Sequence, residues 1–202
     1  MTTDPIQPPR GSFEAYAALI FDCDGTLVDT MPSHYVAWRT TLDRYGIEFA
    51  EQRFYDWGGM PAPKIVAILA DEAGLDLDAP AVAHEKETEY ASGLTAAEPI
   101  APVVEIARHY RGIKPLAVAT GSPRWIADHA LNLVGLGDWF DVIVTAEDVE
   151  HPKPAPDTYL EAARRLGVAP ADCLAFEDAP AGLQSAAAAA MDVIDVSPLY
   201  RR

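Results

Sequence analysis

Apolar residues along this chain gather into short, nearly continuous runs bounded by turn residues. The runs are Ala17–Cys23 (AALIFDC), Pro115–Thr120 (PLAVAT), Asp141–Ala146 (DVIVTA), Cys173–Asp178 (CLAFED) and Asp192–Val196 (DVIDV). Runs this short and this apolar are expected of strands covered on both faces. Helical patterns separate the later runs. One opens at Ser122-Pro123, read as an N-cap followed by proline in the first turn, and closes at Gly135 or Gly137. A second starts near Pro156 and ends at Gly167, and a third covers Ala179–Ala190. Strand and helix in alternation predict a parallel, doubly wound α/β sheet.

Between the first two runs the alternation stops. The patterns at Ser33–Tyr45, Pro63–Ala73 and Ala79–Gly93 predict helices, punctuated by Gly46, Gly58-Gly59 and Gly74. Residues 32–97 are therefore expected to form a helical cap. Residues 1–31 and 98–202 would form the core, with 1 to about 14 as a flexible lead-in. A cap in this place would sit over the carboxyl ends of the strands, where open α/β sheets bind ligands.

Charge narrows the function. Fifteen Lys and Arg face 31 Asp and Glu, a net charge of −16. Such a surface repels nucleic-acid backbones, so no nucleic-acid partner is expected. An anionic substrate would need local cations or a metal. The two cysteines, Cys23 and Cys173, lie inside apolar runs without zinc-site spacing, which fits a cytoplasmic setting and core packing. The opening residues lack the apolar stretch of a signal peptide, and no run is long enough to span a bilayer, so no membrane partner is expected. The oligomeric state stays open, and a monomer is compatible with everything above.

The candidate chemistry lies at the ends of the predicted strands. The first ends in Asp22-Cys23-Asp24-Gly25-Thr26, and alternation places Asp22 and Asp24 on one side. Crowded carboxylates call for a cation or a shared proton. The second ends in Thr120-Gly121-Ser122 before a helix, a hydroxyl and backbone N–H groups suited to an anion. After the third comes Lys153 among Pro152, Pro154 and Pro156, and the fourth ends in Glu177-Asp178. A polar turn explains any one of these clusters, but not four in succession.

These four motifs, in this order over residues 17 to 196, resemble the haloacid dehalogenase superfamily. Asp29-Thr30, His34, Trp38, Lys86, Phe176-Glu177-Asp178 and Ala181-Gly182 resemble its β-phosphoglucomutase-like subgroup with a helical cap, and within it the short bacterial fructose-1-phosphate phosphatases. The resemblance implies a Rossmann-like core and a phosphatase acting on sugar monophosphates of the fructose-1-phosphate or 6-phosphogluconate type. Asp22 would be the nucleophile and Asp24 the general acid and base. Mg²⁺ would be held by Asp22, the Asp24 carbonyl and Asp178, with Glu177 ligating directly or through water. Thr120 and Lys153 would grip the phosphoryl oxygens, with Gly121 and Ser122 beside them. His34 would either bond Asp24 on cap closure or serve as packing. Lys86 would either reach the substrate or pair with its Glu neighbours in solvent.

Two departures stand out. Ala190 occupies a turn where the family carries glycine. The Arg by which mutase members grip a distal phosphate is missing from Gly58–Lys64, leaving Lys64 as a partial substitute or a solvated side chain. A sugar-phosphate mutase is thus the alternative. A dinucleotide oxidoreductase would need a G-x-G-x-x-G that Asp24-Gly25-Thr26-Leu27 does not supply.

Overall fold

The structure, a computed structural model, describes residues 6–199. All five predicted strands form: β1 (Ala18–Phe21), β2 (Leu116–Ala119), β3 (Val142–Val144), β4 (Cys173–Glu177) and β5 (Asp192–Asp195). They make one parallel sheet in the order β3-β2-β1-β4-β5. The chain runs from β1 outward on one side, then returns to β4 on the other. This places a topological switch point at the end of β1.

The continuous apolar runs follow from burial on both faces. Leu19 and Phe21 enter one core with α5 (Ala101–Tyr110) and α6 (Arg124–Leu133). Ala18 and Ile20 face the other, with α7 (Asp157–Leu166) and α8 (Pro180–Ala188). Phe21 stacks on Phe176 at 4.6 Å between ring centroids, joining the two central strands. Each such side chain contributes about 1.5–3 kcal/mol through burial.

The interval between β1 and β2 holds α1 (Met31–Asp43), α2 (Glu51–Asp56), α3 (Ala62–Ala73) and α4 (Ala79–Gly93), then α5. The first four share an apolar core of their own around Trp38, Phe49, Phe54, Val66 and Leu69. The chain enters and leaves them side by side. Asp29 N–H donates to Glu98 O and Ile100 N–H to Leu27 O, each at 2.9 Å.

Three expectations need correcting. The expected lead-in is anchored from the first described residues, the rest of it lying outside them. Phe13 stacks near Phe176, Tyr110 donates to Glu14 at 2.7 Å, and Arg10 pairs with Asp192 at 2.8 Å. Helix α6 begins at Arg124 with Pro123 in the cap position, and Ser122 makes no cap hydrogen bond because its hydroxyl is turned elsewhere. Helices α2 and α5 also fall where no helix was expected. Among the described residues no helix is long and apolar enough to cross a membrane.

Candidate active site

The sheet register builds the site. Phe21 lies level with Val118 on one side and Phe176 on the other, so Asp22, Thr120 and Glu177-Asp178 emerge along one edge. Past Asp22 the chain turns sharply. Cys23 O accepts from Leu27 N at 2.9 Å, and Gly25 adopts φ +84°, which only glycine takes without strain. The turn presents Asp24 beside the end of β2.

Lys153 is fully buried behind these ends. Its ammonium donates to Asp22 Oδ1 at 2.7 Å and to Glu177 Oε1 at 2.5 Å. Burial works against its charge, but Asp22 and Glu177 outweigh that and hold it charged well above the usual range. Glu177 Oε2 accepts from the backbone N–H groups of Asp178 (2.9 Å) and Ala179 (3.0 Å), at the start of α8. Asp22 is also buried. Burial, then Glu177 and Asp178, push its carboxyl up, while Lys153 draws it down.

Carboxylate oxygens of Asp22, Glu177 and Asp178 lie within 4.8 Å of one another, all buried. Three buried carboxylates against one lysine leave negative charge in excess, and an oxygen-only donor set suits a hard divalent cation. The residues present therefore fit such an ion. Both Glu177 oxygens already have protein donors.

Asp24 is held at several points. Thr30 Oγ1 donates to Oδ1 at 2.7 Å and Ser122 Oγ to Oδ2 at 2.8 Å, and His34 Nε2 lies 3.1 Å from Oδ1. Burial opposes its charge, but His34, Thr30 and Ser122 outweigh this and keep the carboxyl below the usual range. On its other side His34 Nδ1 is 2.7 Å from Lys86 Nζ. An ammonium has only donors, so Nδ1 accepts and Nε2, the atom nearer Asp24, carries the hydrogen. The imidazole stacks flat on Tyr90 at 3.7 Å. Lys86 also donates to Glu87 Oε1 at 3.1 Å.

These groups surround a cavity of about 80 Å³ between core and cap. Asp22, Asp24, Thr120, Gly121, Ser122, Glu177 and Asp178 line its floor, and His34, Lys86 and Glu87 stand above among Met31, Trp38, Phe54, Trp57 and Met60. The cap rests on the core through glycine. A Cβ on Gly121 would come within 3.0 Å of Gly59 O, and one on Gly58 within 3.0 Å of Ala179 Cβ.

Of the substrate-contact candidates, His34, Lys86, Gly121 and Ser122 line the cavity and Lys64 does not, being exposed on α3. Lys86 is buried, which overturns its reading as a solvated partner of neighbouring glutamates. Cys23 and Cys173 are buried as expected, and Trp38 is buried as well. Thr30 and Glu87 are site residues to which no role was given. The signal for Glu87 lies in the spacing: Val82, Ala83, Lys86, Glu87 and Tyr90 make one buried helical stripe, so both charges sit on the apolar face.

The sequence model of the haloacid dehalogenase-like hydrolase family matches residues 16–190. The chain is 44% identical over 185 residues to the fructose-1-phosphate phosphatase YqaB of Escherichia coli (strain K12), covering 91% of this chain and 98% of that one. It is 35% identical over 182 residues to hexitol phosphatase A of the same organism, covering 88% and 82%. Among solved structures it is similar to a β-phosphoglucomutase from Clostridium difficile, with a TM-score of 0.78 and 25% identity over 89% of this chain and 84% of that one.

Proposed function

The chain belongs to the haloacid dehalogenase-like hydrolases and is a phosphatase, and on that premise we propose that it hydrolyses small sugar monophosphates through a phosphorylated Asp22. The observation that carries this reading is the carboxylate of Asp22 at the mouth of β1, 2.7 Å from Lys153 and in one cavity with Asp24 and Thr120.

In this reading an Asp22 oxygen attacks phosphorus, and the bond from phosphorus to the sugar oxygen breaks. The departing oxygen takes a proton from Asp24, since an alkoxide is a poor leaving group. Water then attacks the aspartyl-phosphate and gives its proton to Asp24. Phosphate leaves, and both carboxyl groups return to their starting state. His34, Thr30 and Ser122 keep Asp24 ionised in the arrangement described, so taking up the proton it donates requires those contacts to loosen as substrate enters. Lys153 and Thr120 orient the phosphoryl oxygens, and Glu177 positions Lys153. Asp22, Asp178 and the Asp24 carbonyl are the residues to hold Mg²⁺, with Glu177 nearby. When bound, the ion supplies neutralising charge for phosphoryl transfer. Residues 32–97 act as a cap over the site, since His34, Lys86 and Glu87 from that segment line one cavity with Asp22, Asp24 and Thr120 of the core.

Support for a sugar substrate comes from the fructose-1-phosphate and hexitol phosphatases among the relatives. The test is phosphate release from a set of sugar, nucleotide and acid phosphates with Mg²⁺, run beside Asp22→Asn. Sugar monophosphates should be the best substrates, with kcat at least about a thousandfold lower in the variant. Variant rates within tenfold of wild type would remove Asp22 as nucleophile, and preference for nucleotides would remove the sugar assignment.

A further inference from the structure

We propose that Glu87 selects the leaving group: its free carboxylate oxygen accepts a hydrogen bond from a hydroxyl of a neutral polyol and turns away substrates whose far end is anionic. This rests on the sugar-phosphatase reading above and narrows its substrate class.

Glu87 is 6% exposed and lines the cavity on its cap side. Only one of its oxygens is engaged within the protein: Oε1 accepts from Lys86, while Oε2 is buried with no hydrogen-bond partner. A buried carboxylate oxygen without a donor is costly, and such groups persist where something else supplies the donor. The cap residues that line the cavity with it offer few donors. Met31, Trp38, Phe54, Trp57, Met60 and Ile65 are largely apolar, and Lys86 already faces His34 and Glu87. A hydroxyl is the donor that a sugar phosphate brings.

Charge makes the same oxygen exclude other ligands. The sole cationic side chain on the cavity lining, among the described residues, is Lys86, and Glu87 neutralises it locally. No arginine lines the cavity. A second phosphate, or the carboxylate of a sugar acid, would meet Oε2 as a like charge in a confined site, where such repulsion is weakly screened. Of the two substrate types expected from sequence, this favours the ketose 1-phosphate over 6-phosphogluconate.

Glu87→Gln gives a sharp test, because Lys86 fixes how the amide must sit. Its carbonyl faces the ammonium and its NH₂ occupies the place of Oε2, so an acceptor becomes a donor. The assay is kcat/KM for fructose-1-phosphate, 6-phosphogluconate and p-nitrophenyl phosphate in wild type, Glu87→Gln and Glu87→Met, with circular dichroism as the folding check. Wild type should prefer fructose-1-phosphate to 6-phosphogluconate. In Glu87→Gln the ratio of fructose-1-phosphate to p-nitrophenyl phosphate should fall by about tenfold or more, the scale of one charge-assisted hydrogen bond, mainly through KM. The ratio of 6-phosphogluconate to fructose-1-phosphate should rise. Glu87→Met lacks the acceptor as well and should lower the first ratio too. If both variants lose all three activities in step, Glu87 merely supports Lys86 and the inference is wrong. It is equally wrong if wild type hydrolyses 6-phosphogluconate as efficiently as fructose-1-phosphate. Wild type active on p-nitrophenyl phosphate alone would overturn the sugar-phosphatase reading, and this inference with it.

Discussion

Gly182 lies in the first turn of α8, directly beneath the Glu177 carboxylate, and Gly182→Ala sets two effects of opposite sign against each other. Helix propensity alone favours alanine by about 1 kcal/mol. A Cβ at this position, however, would stand 2.5 Å from Glu177 Oε2 and closer still to Cδ and Oε1. Neither side can yield cheaply. The carboxylate is held by Lys153 and by the N–H groups of Asp178 and Ala179. Displacing it leaves two buried backbone donors unmatched, at about 1–3 kcal/mol each. Set against the helix gain, the expected net loss is roughly 1–5 kcal/mol. For a domain of this size that lowers Tm by about 2–20 °C. Lys153 would also lose its 2.5 Å partner, so phosphatase activity at a permissive temperature should fall with stability. Urea and thermal unfolding beside a phosphate-release assay measure both. An alanine variant as stable as wild type, or more so, would refute the claim that this glycine makes room for Glu177.

The opposite exchange should stabilise. Ala190 adopts φ +60° just after α8, a conformation costing a non-glycine residue about 1 kcal/mol, so Ala190→Gly should raise unfolding stability by roughly 0.5–1 kcal/mol without altering kcat, and a loss of stability would contradict this. EDTA should abolish turnover and Mg²⁺ restore it, with Ca²⁺ a poor substitute because its coordination is larger and looser; full activity in excess chelator would remove the metal from the mechanism. Because no arginine lines the cavity among the described residues and the exposed Lys64 does not line it either, a distal phosphate has no directional grip. With β-glucose-1-phosphate and a trace of the 1,6-bisphosphate, free phosphate should therefore outpace glucose-6-phosphate, and the reverse order would make the protein a mutase.

The core was legible because burial on both faces leaves strands as continuous apolar runs, and all five form. Their ends were read one or two residues too long at Asp22-Cys23, Thr120 and Asp178, where the ladder stops and the backbone turns out toward the site. The same pattern located the floor of the site, since strands that end in register bring their next residues together. The cap was harder. Six residues make α2 less than two turns, too short for periodicity to register. Helix α5 does carry a readable stripe in Val103, Val104, Ala107 and Tyr110, but it sits in an interval dominated by the cap. Glu85, Glu87 and Glu89 on α4 look alike one by one, and what marks Glu87 is its place on the stripe of Val82, Ala83, Lys86 and Tyr90, a pattern blurred by the polar residues within it. Ser122 was misread for a local reason: the N-cap pattern was satisfied on paper, while a carboxylate from another strand competed for the hydroxyl.

The paired crossings at Leu27–Ile100 and Asp29–Glu98 bring together the two ends of the segment that holds α1–α4, which makes that segment a transplantable cassette. Entry and exit lie one strand spacing apart, so the segment can be exchanged for another without stretching the sheet or moving Asp22, Lys153 or Asp178. In the mechanism proposed above, such an exchange would change which leaving group is accepted while leaving the residues around Asp22 in place. The exchange carries one toll, because the brace on Asp24 travels with the cassette: His34 and Lys86 both belong to it. A donor segment that lacks an equivalent imidazole and its cationic backstop would install a new specificity and disable the acid–base group in the same step.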